Sequence, residues 1–191
     1  MTGWIVGTLV AFGAVALWAL RAFNALVRRR NLVREAWSGI EVQLKRRHDL
    51  IPRLTEAVRG YIEHERGLLG ELARTRAHCV EAIGPVGAVD PENALSHVLG
   101  RLFAVVENYP ELKASGNVLE LQAGLVDVED NLQLARRYYN GTVRDYNTAV
   151  QSFPRSLVAR AFAFHAEAFF ELDSALERRS PGVELQPHGA E

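Results

Sequence analysis

The sequence predicts an all-α protein: a single N-terminal transmembrane helix followed by an antiparallel four-helix bundle. Three observations carry that reading. Residues 3–20 contain no charged side chain. From Leu32 onward, apolar residues recur at three- and four-residue steps, with no alternating strand pattern. Breaks rich in glycine and proline then divide the periodic stretches into short-looped segments, as antiparallel neighbours require. The chain has 191 residues, 48% of them apolar. That suffices for one domain and an anchor, and is too little for two ordinary domains. The expected division is an anchor over 1–22, a bundle with a short apolar C-terminal segment over 23–173, and a disordered tail over 174–191.

As a helix, the charge-free run is roughly 27 Å long, just enough for a bilayer core of about 30 Å. Trp4 and Trp18 lie near its ends, where indole rings favour the interface. Arg21, Arg28, Arg29 and Arg30 follow on one side only. The positive-inside rule therefore places the bundle in the cytoplasm and the N-terminus outside. No basic residue precedes the run and no small-residue cleavage site follows it, which favours an anchor over a cleaved signal peptide. Gly3, Gly7 and Ala11 recur every four residues, a spacing that lets two anchors pack closely as a homo-oligomer.

Val33, Trp37, Ile40 and Leu44 begin the first soluble stripe, and Ile51, Leu54, Val58 and Ile62 continue it. Trp37 is expected as a core anchor. Pro52 interrupts the run, and a turn or sharp kink is expected around 48–52, with a continuous bent helix as the alternative. A second segment carries Leu69, Leu72 and Ile83. Gly84, Pro85, Gly87, Asp90 and Pro91 read as a loop. A helix is expected over about 92–108, ended by Tyr109 and Pro110, and a long one over about 118–151, stopped by Pro154. Residues 155–173 are apolar and aromatic, and read as a short helix over the bundle end or against the membrane.

Net charge is −1 overall, yet residues 21–60 carry +6 and the remainder −7. A basic stretch directly after an apolar run points to a membrane surface, and the balanced total argues against a nucleic-acid binder. The single cysteine, Cys79, excludes an intrachain disulfide and a cysteine-rich zinc site.

Several runs, in order, resemble the LemA family of bacterial membrane proteins. They are Glu35-Ala36-Trp37 and the stretch from Val42 through Lys45-Arg46-Arg47-His48-Asp49 to Pro52; Gly60-Tyr61 with His64-Glu65; Tyr109-Pro110-Glu111-Leu112-Lys113; Glu120-Leu121-Gln122 with Glu129-Asp130; and Ala135-Arg136-Arg137-Tyr138-Tyr139-Asn140 through Val143-Arg144-Asp145-Tyr146-Asn147 to Gln151-Ser152-Phe153-Pro154. The resemblance spans about residues 24–173. It implies a four-helix bundle on a membrane helix, no catalytic activity and no cofactor. It also implies a scaffold or adaptor of the bacterial envelope that binds other membrane proteins, in some members beside a membrane metalloprotease in quality control. A relative serves magnetosome membranes. Near the C-terminus this chain departs from the family, with His165-Ala166 before Glu167-Ala168-Phe169-Phe170 where lysine-proline is common.

Candidate sites are few. Arg136, Asn140, Arg144 and Asn147 share one helix face and read either as a docking surface or as partners for internal carboxylates such as Glu35 and Glu41. Lys45, Arg46 and Arg47 read as a solvated face or as contacts for lipid headgroups or a partner. His48, His64 and Glu65 offer metal-ligand chemistry, but His64 and Glu65 are adjacent and lack zincin spacing. Cys79 reads as a packed small hydrophobe. The leading expectation is a non-enzymatic membrane scaffold. A metal-binding or enzymatic accessory using His48, His64 and Glu65, and a membrane-remodelling protein, are the alternatives.

Overall fold

The charge-free run and the periodic segment behind it form one helix. In the computed structural model, which describes residues 2–172, α1 runs unbroken over Thr2–Arg59. The large side chains of its first turns, from Trp4 to Leu20, are exposed, and Ala22 is the first buried residue. This helix is long and apolar enough at its N-terminal end to cross a membrane.

The break expected around 48–52 is not there: Pro52 lies inside α1. Proline has no N–H to offer the carbonyl four residues back, here that of His48. Arg76 supplies the missing donor, its Nε lying 2.8 Å from the His48 carbonyl oxygen. A side chain from the next helix thus satisfies the acceptor that proline releases, and the helix continues.

A 3₁₀ turn at Glu63–Glu65 leads to α2, Arg66–Glu81, and α3, Gly84–Val106. The loop expected at 84–91 is instead the start of α3. Gly84 takes φ +71°, a conformation glycine adopts without steric cost, and Pro85 sits in the first turn, where no intrahelical donor is needed. Pro91 releases only the carbonyl of Gly87, an exposed residue. A short α4, Pro110–Lys113, precedes the long α5, Gly116–Gln151. After α6, Arg155–Ala161, the chain runs without regular structure to residue 172. The tail expected over 174–191 lies outside the described residues.

α1 and α5 are antiparallel. Arg29 reaches the Asp145 carbonyl, Arg46 pairs with Asp127, and Leu50 lies against Gly124, so one helix climbs as the other descends. Two apolar clusters line this pair. The distal cluster joins Ile51, Leu54 and Val58 of α1 to Leu68 and Leu72 of α2, Leu95 and Leu102 of α3, and Leu121 and Leu125 of α5. The proximal cluster, nearer the apolar end, joins Leu26, Val33, Ile40 and Leu44 to Leu132, Tyr139, Val143 and Tyr146 of α5. There α3 contributes Ala88, α6 contributes Val158 and Ala159, and the C-terminal segment contributes Phe164 and Phe170. α2 enters only the distal core, beside α1, α3 and α5, and α6 enters only the proximal one. Trp37 is half-buried, edge-on to Tyr139 and Phe170, with its indole N–H donated outward to Glu41.

Candidate functional site

The Arg/Asn face of α5 holds the protein's own C-terminal segment. The Asn140 side-chain amide donates to the Phe170 carbonyl at 3.0 Å and accepts from the Phe170 N–H at 2.9 Å. Asn147 repeats this with Glu167, at 2.9 and 2.8 Å. Each asparagine thus acts as a neighbouring strand would, satisfying both backbone groups of one residue. The spacing explains the fit. Seven helical residues rise roughly 10.5 Å, and three extended residues, Glu167 to Phe170, cover about 10 Å. Tyr139 donates its hydroxyl to the Ala168 carbonyl at 2.8 Å, and Arg136 donates to the Leu172 carbonyl at 2.7 Å. Burial, and then the nearby Glu167 carboxylate, push the Tyr139 phenol up to about 12. Arg144 is exposed. With Arg136, Arg137, Asn140 and residues 170–172 it lines a cleft of about 380 Å³ between α5 and this strap.

A second constellation sits where the two apolar clusters meet. Arg47 and His48 lie between Leu44 and Ile51 on α1, Glu92 between Ala88 and Leu95 on α3, and Glu129 between Leu125 and Leu132 on α5. Glu92 is 1% exposed, so its carboxylate needs internal partners. Arg47 Nη1 lies 3.1 Å from Glu92 Oε2, and His48 Nε2 lies 2.6 Å from Oε1. Arg47 Nη2 donates to Ser96 Oγ at 2.8 Å and approaches Glu129 at 3.6 Å. Cys79 also faces Glu92. Burial, and then that carboxylate, push its thiol up to about 12, which leaves no thiolate for nucleophilic work near neutral pH.

Of the residues expected to contact headgroups or a partner, Lys45 and Arg46 are exposed and Arg47 is buried. Arg46 pairs with Asp127 at 2.8 Å. The metal-ligand set of His48, His64 and Glu65 does not assemble. His64 is exposed in the 3₁₀ turn, and among the described residues the ligand atoms that gather within 4.8 Å of one another are those of His48, Cys79 and Glu92. Arg47 already occupies that carboxylate, so the charge is balanced by a guanidinium. Glu35 is exposed and Glu41 takes the Trp37 N–H, so neither pairs with the Arg/Asn face as expected. Sequence reasoning missed Glu92 as the buried partner. The available signal was a lone acid in the apolar stripe of Ala88, Leu95 and Leu99.

These features all lie within residues 36–185, which match the LemA family. The chain belongs to the LemA family. Among its relatives is the magnetosome protein MamQ of Magnetospirillum gryphiswaldense, 24% identical over 189 residues, covering 85% of this chain and 68% of that protein. Another is protein LemA of Metamycoplasma hominis, 26% identical over 156 residues, covering 81% of this chain and 71% of the relative. Neither name specifies an enzymatic activity. LemA-family membership and the apolar start of α1 together make this a membrane-associated helical protein.

Proposed function

We propose that this protein is a non-enzymatic membrane scaffold whose distal helices dock another membrane protein of the bacterial envelope. The observation that supports it is α1, one uninterrupted helix from the apolar run into both cores. From Arg21 to Arg59 it extends roughly 58 Å, so it carries the distal core far from the bilayer at a defined position. The arginines that follow the apolar run on one side support a cytoplasmic bundle. A cleft of about 640 Å³ between α1 and α5, lined by Arg46, Arg53, Glu56, Asn117, Glu120 and neighbours, is the docking surface on this reading. Its mixed charge suits a polar protein segment. The sharper form of the proposal has a membrane metalloprotease as partner and membrane-protein quality control as the role.

Photo-crosslinking amino acids placed at Asn117 and Glu120, both exposed on the α5 wall of this cleft, test the reading in native membranes. Adducts with a membrane protein from these positions, and none from the exposed Tyr138 nearer the bilayer, support it. Absence of any distal adduct on a folded chain contradicts it.

A further inference from the structure

The corner between α5 and α6 presents apolar side chains that nothing among the described residues covers. Phe153 is 81% exposed, Leu157 56% and Phe162 59%. They stand within ten residues of one another, and such a patch on an ordered surface marks a contact with a partner or a bilayer. The corner is not a loose flap. Val158 and Ala159 turn inward and are buried, which forces Leu157 outward. α6 is closed by Ala163 at φ +52°, with Phe164 N–H bonded to the Ala159 carbonyl, a Schellman arrangement. Phe164 is buried under Arg30, whose guanidinium lies 4.9 Å from the ring centre.

We propose that this corner is a second membrane contact, seated through Phe153, Leu157 and Phe162 in the anionic headgroup layer from which α1 emerges. The proposal rests on the reading of residues 3–20 as the spanning segment. Its first support is depth. The Phe162 ring packs against Phe23 with centres 4.9 Å apart. Phe23 lies three residues past the charge-free run, roughly 4.5 Å along the helix. The headgroup region on each side of a bilayer is about 5–8 Å thick. The corner therefore sits at the level of that layer, where aromatic rings accumulate. The second support is charge. Neither residues 1–34 nor residues 146–166 contain an acidic side chain, while Arg21, Arg28, Arg155 and Arg160 are exposed there. Asp145 and Glu167 flank the patch. The surface thus complements anionic lipid.

A single spanning helix leaves tilt to be set by its surroundings. A second contact beside its exit point fixes the direction in which α1 carries the bundle.

Spin labelling of the full chain in vesicles containing phosphatidylglycerol tests this. In a Cys79→Ala background, a nitroxide is placed by Ala161→Cys at the corner, by Val10→Cys in the spanning segment, or by Val126→Cys on the distal bundle. Collisions with a water-soluble nickel chelate are then compared with collisions with oxygen, which partitions into lipid. The corner label should meet nickel several-fold less often than the distal label. Adding Phe153→Ser and Phe162→Ser should return it to the distal level with helicity unchanged. A corner label as exposed to nickel as the distal one, with the Val10→Cys label protected, overturns the second contact and leaves the anchor standing. Nickel access at both positions overturns the anchor as well.

Discussion

Between Ile51 and Val58, α1 is buried by three other helices; between Ala22 and Leu44 it is buried mainly by α5, with α6 and a length of extended chain closing the gap. Helix packing covers the distal half with side chains, and apart from the His48 carbonyl, which Arg76 satisfies, its backbone is satisfied within each helix. An extended strap cannot satisfy itself, so the proximal half supplies side-chain donors and acceptors along one face of α5. The two halves meet at Arg47, His48 and Glu92, which are buried in neither cluster alone.

That junction should be the most sensitive point. Glu92→Ala leaves Arg47 charged and buried, and should cost about 3–5 kcal/mol in denaturant unfolding. Joint replacement, Glu92→Leu with Arg47→Met, should cost far less, because no unpaired charge remains. A double mutant as damaged as the single one would mean that the cluster does more than balance its own charges.

The strap comes next. Asn140→Ala strands the N–H and carbonyl of Phe170, and should cost about 1–3 kcal/mol. Hydrogen exchange should rise at 164–172 and stay unchanged at Leu95 and Leu102. Equal loosening in both halves would erase the distinction drawn between them.

Arg76→Met removes the donor that satisfies the His48 carbonyl, and should cost about 1–2 kcal/mol. In a Pro52→Ala background, where the helix regains its own N–H, the same change should cost measurably less. Equal costs in both backgrounds would uncouple Arg76 from the proline.

Each half also holds groups that resist ionisation, Cys79 in the distal half and Tyr139 and Tyr146 in the proximal half. The Cys79 thiol is raised from 9.0 to about 12 in the distal half, and the Tyr139 phenol from 10.0 to about 12 in the proximal half. Both pKa values are higher folded than unfolded. Their contribution is therefore complete below about pH 9, falls as the unfolded chain ionises first, and is gone once pH passes about 12. Thermal unfolding across pH 8–11 should show Cys79→Ala declining later than the parent chain. Superimposable profiles would remove Cys79 from the balance.

The distal half is legible because its stripes are apolar at helical spacing, and Ile51, Leu54 and Val58, which follow that spacing, are core. The strap was not legible, because Glu167 and Phe170 follow no helical period and are placed by Asn147 and Asn140 on a different element. Pro52 and Pro91 misled for a related reason. Proline's local cost is visible in sequence, whereas Arg76, which relieves it at Pro52, is 24 residues away. Arg47 looked like a solvated charge because Lys45 and Arg46 beside it are solvated, and its burial depends on Glu92 from α3.

One continuous helix couples the apolar N-terminal segment to both cores. Hydrogen exchange on the full chain in lipid nanodiscs tests that coupling most directly. The expected result is continuous slow exchange from Leu20 to Val58, including the turn around Asp49 and Arg53. A fast-exchanging window at either 20–24 or 48–54, with α5 still protected, would contradict it and make α1 two helices joined by a hinge.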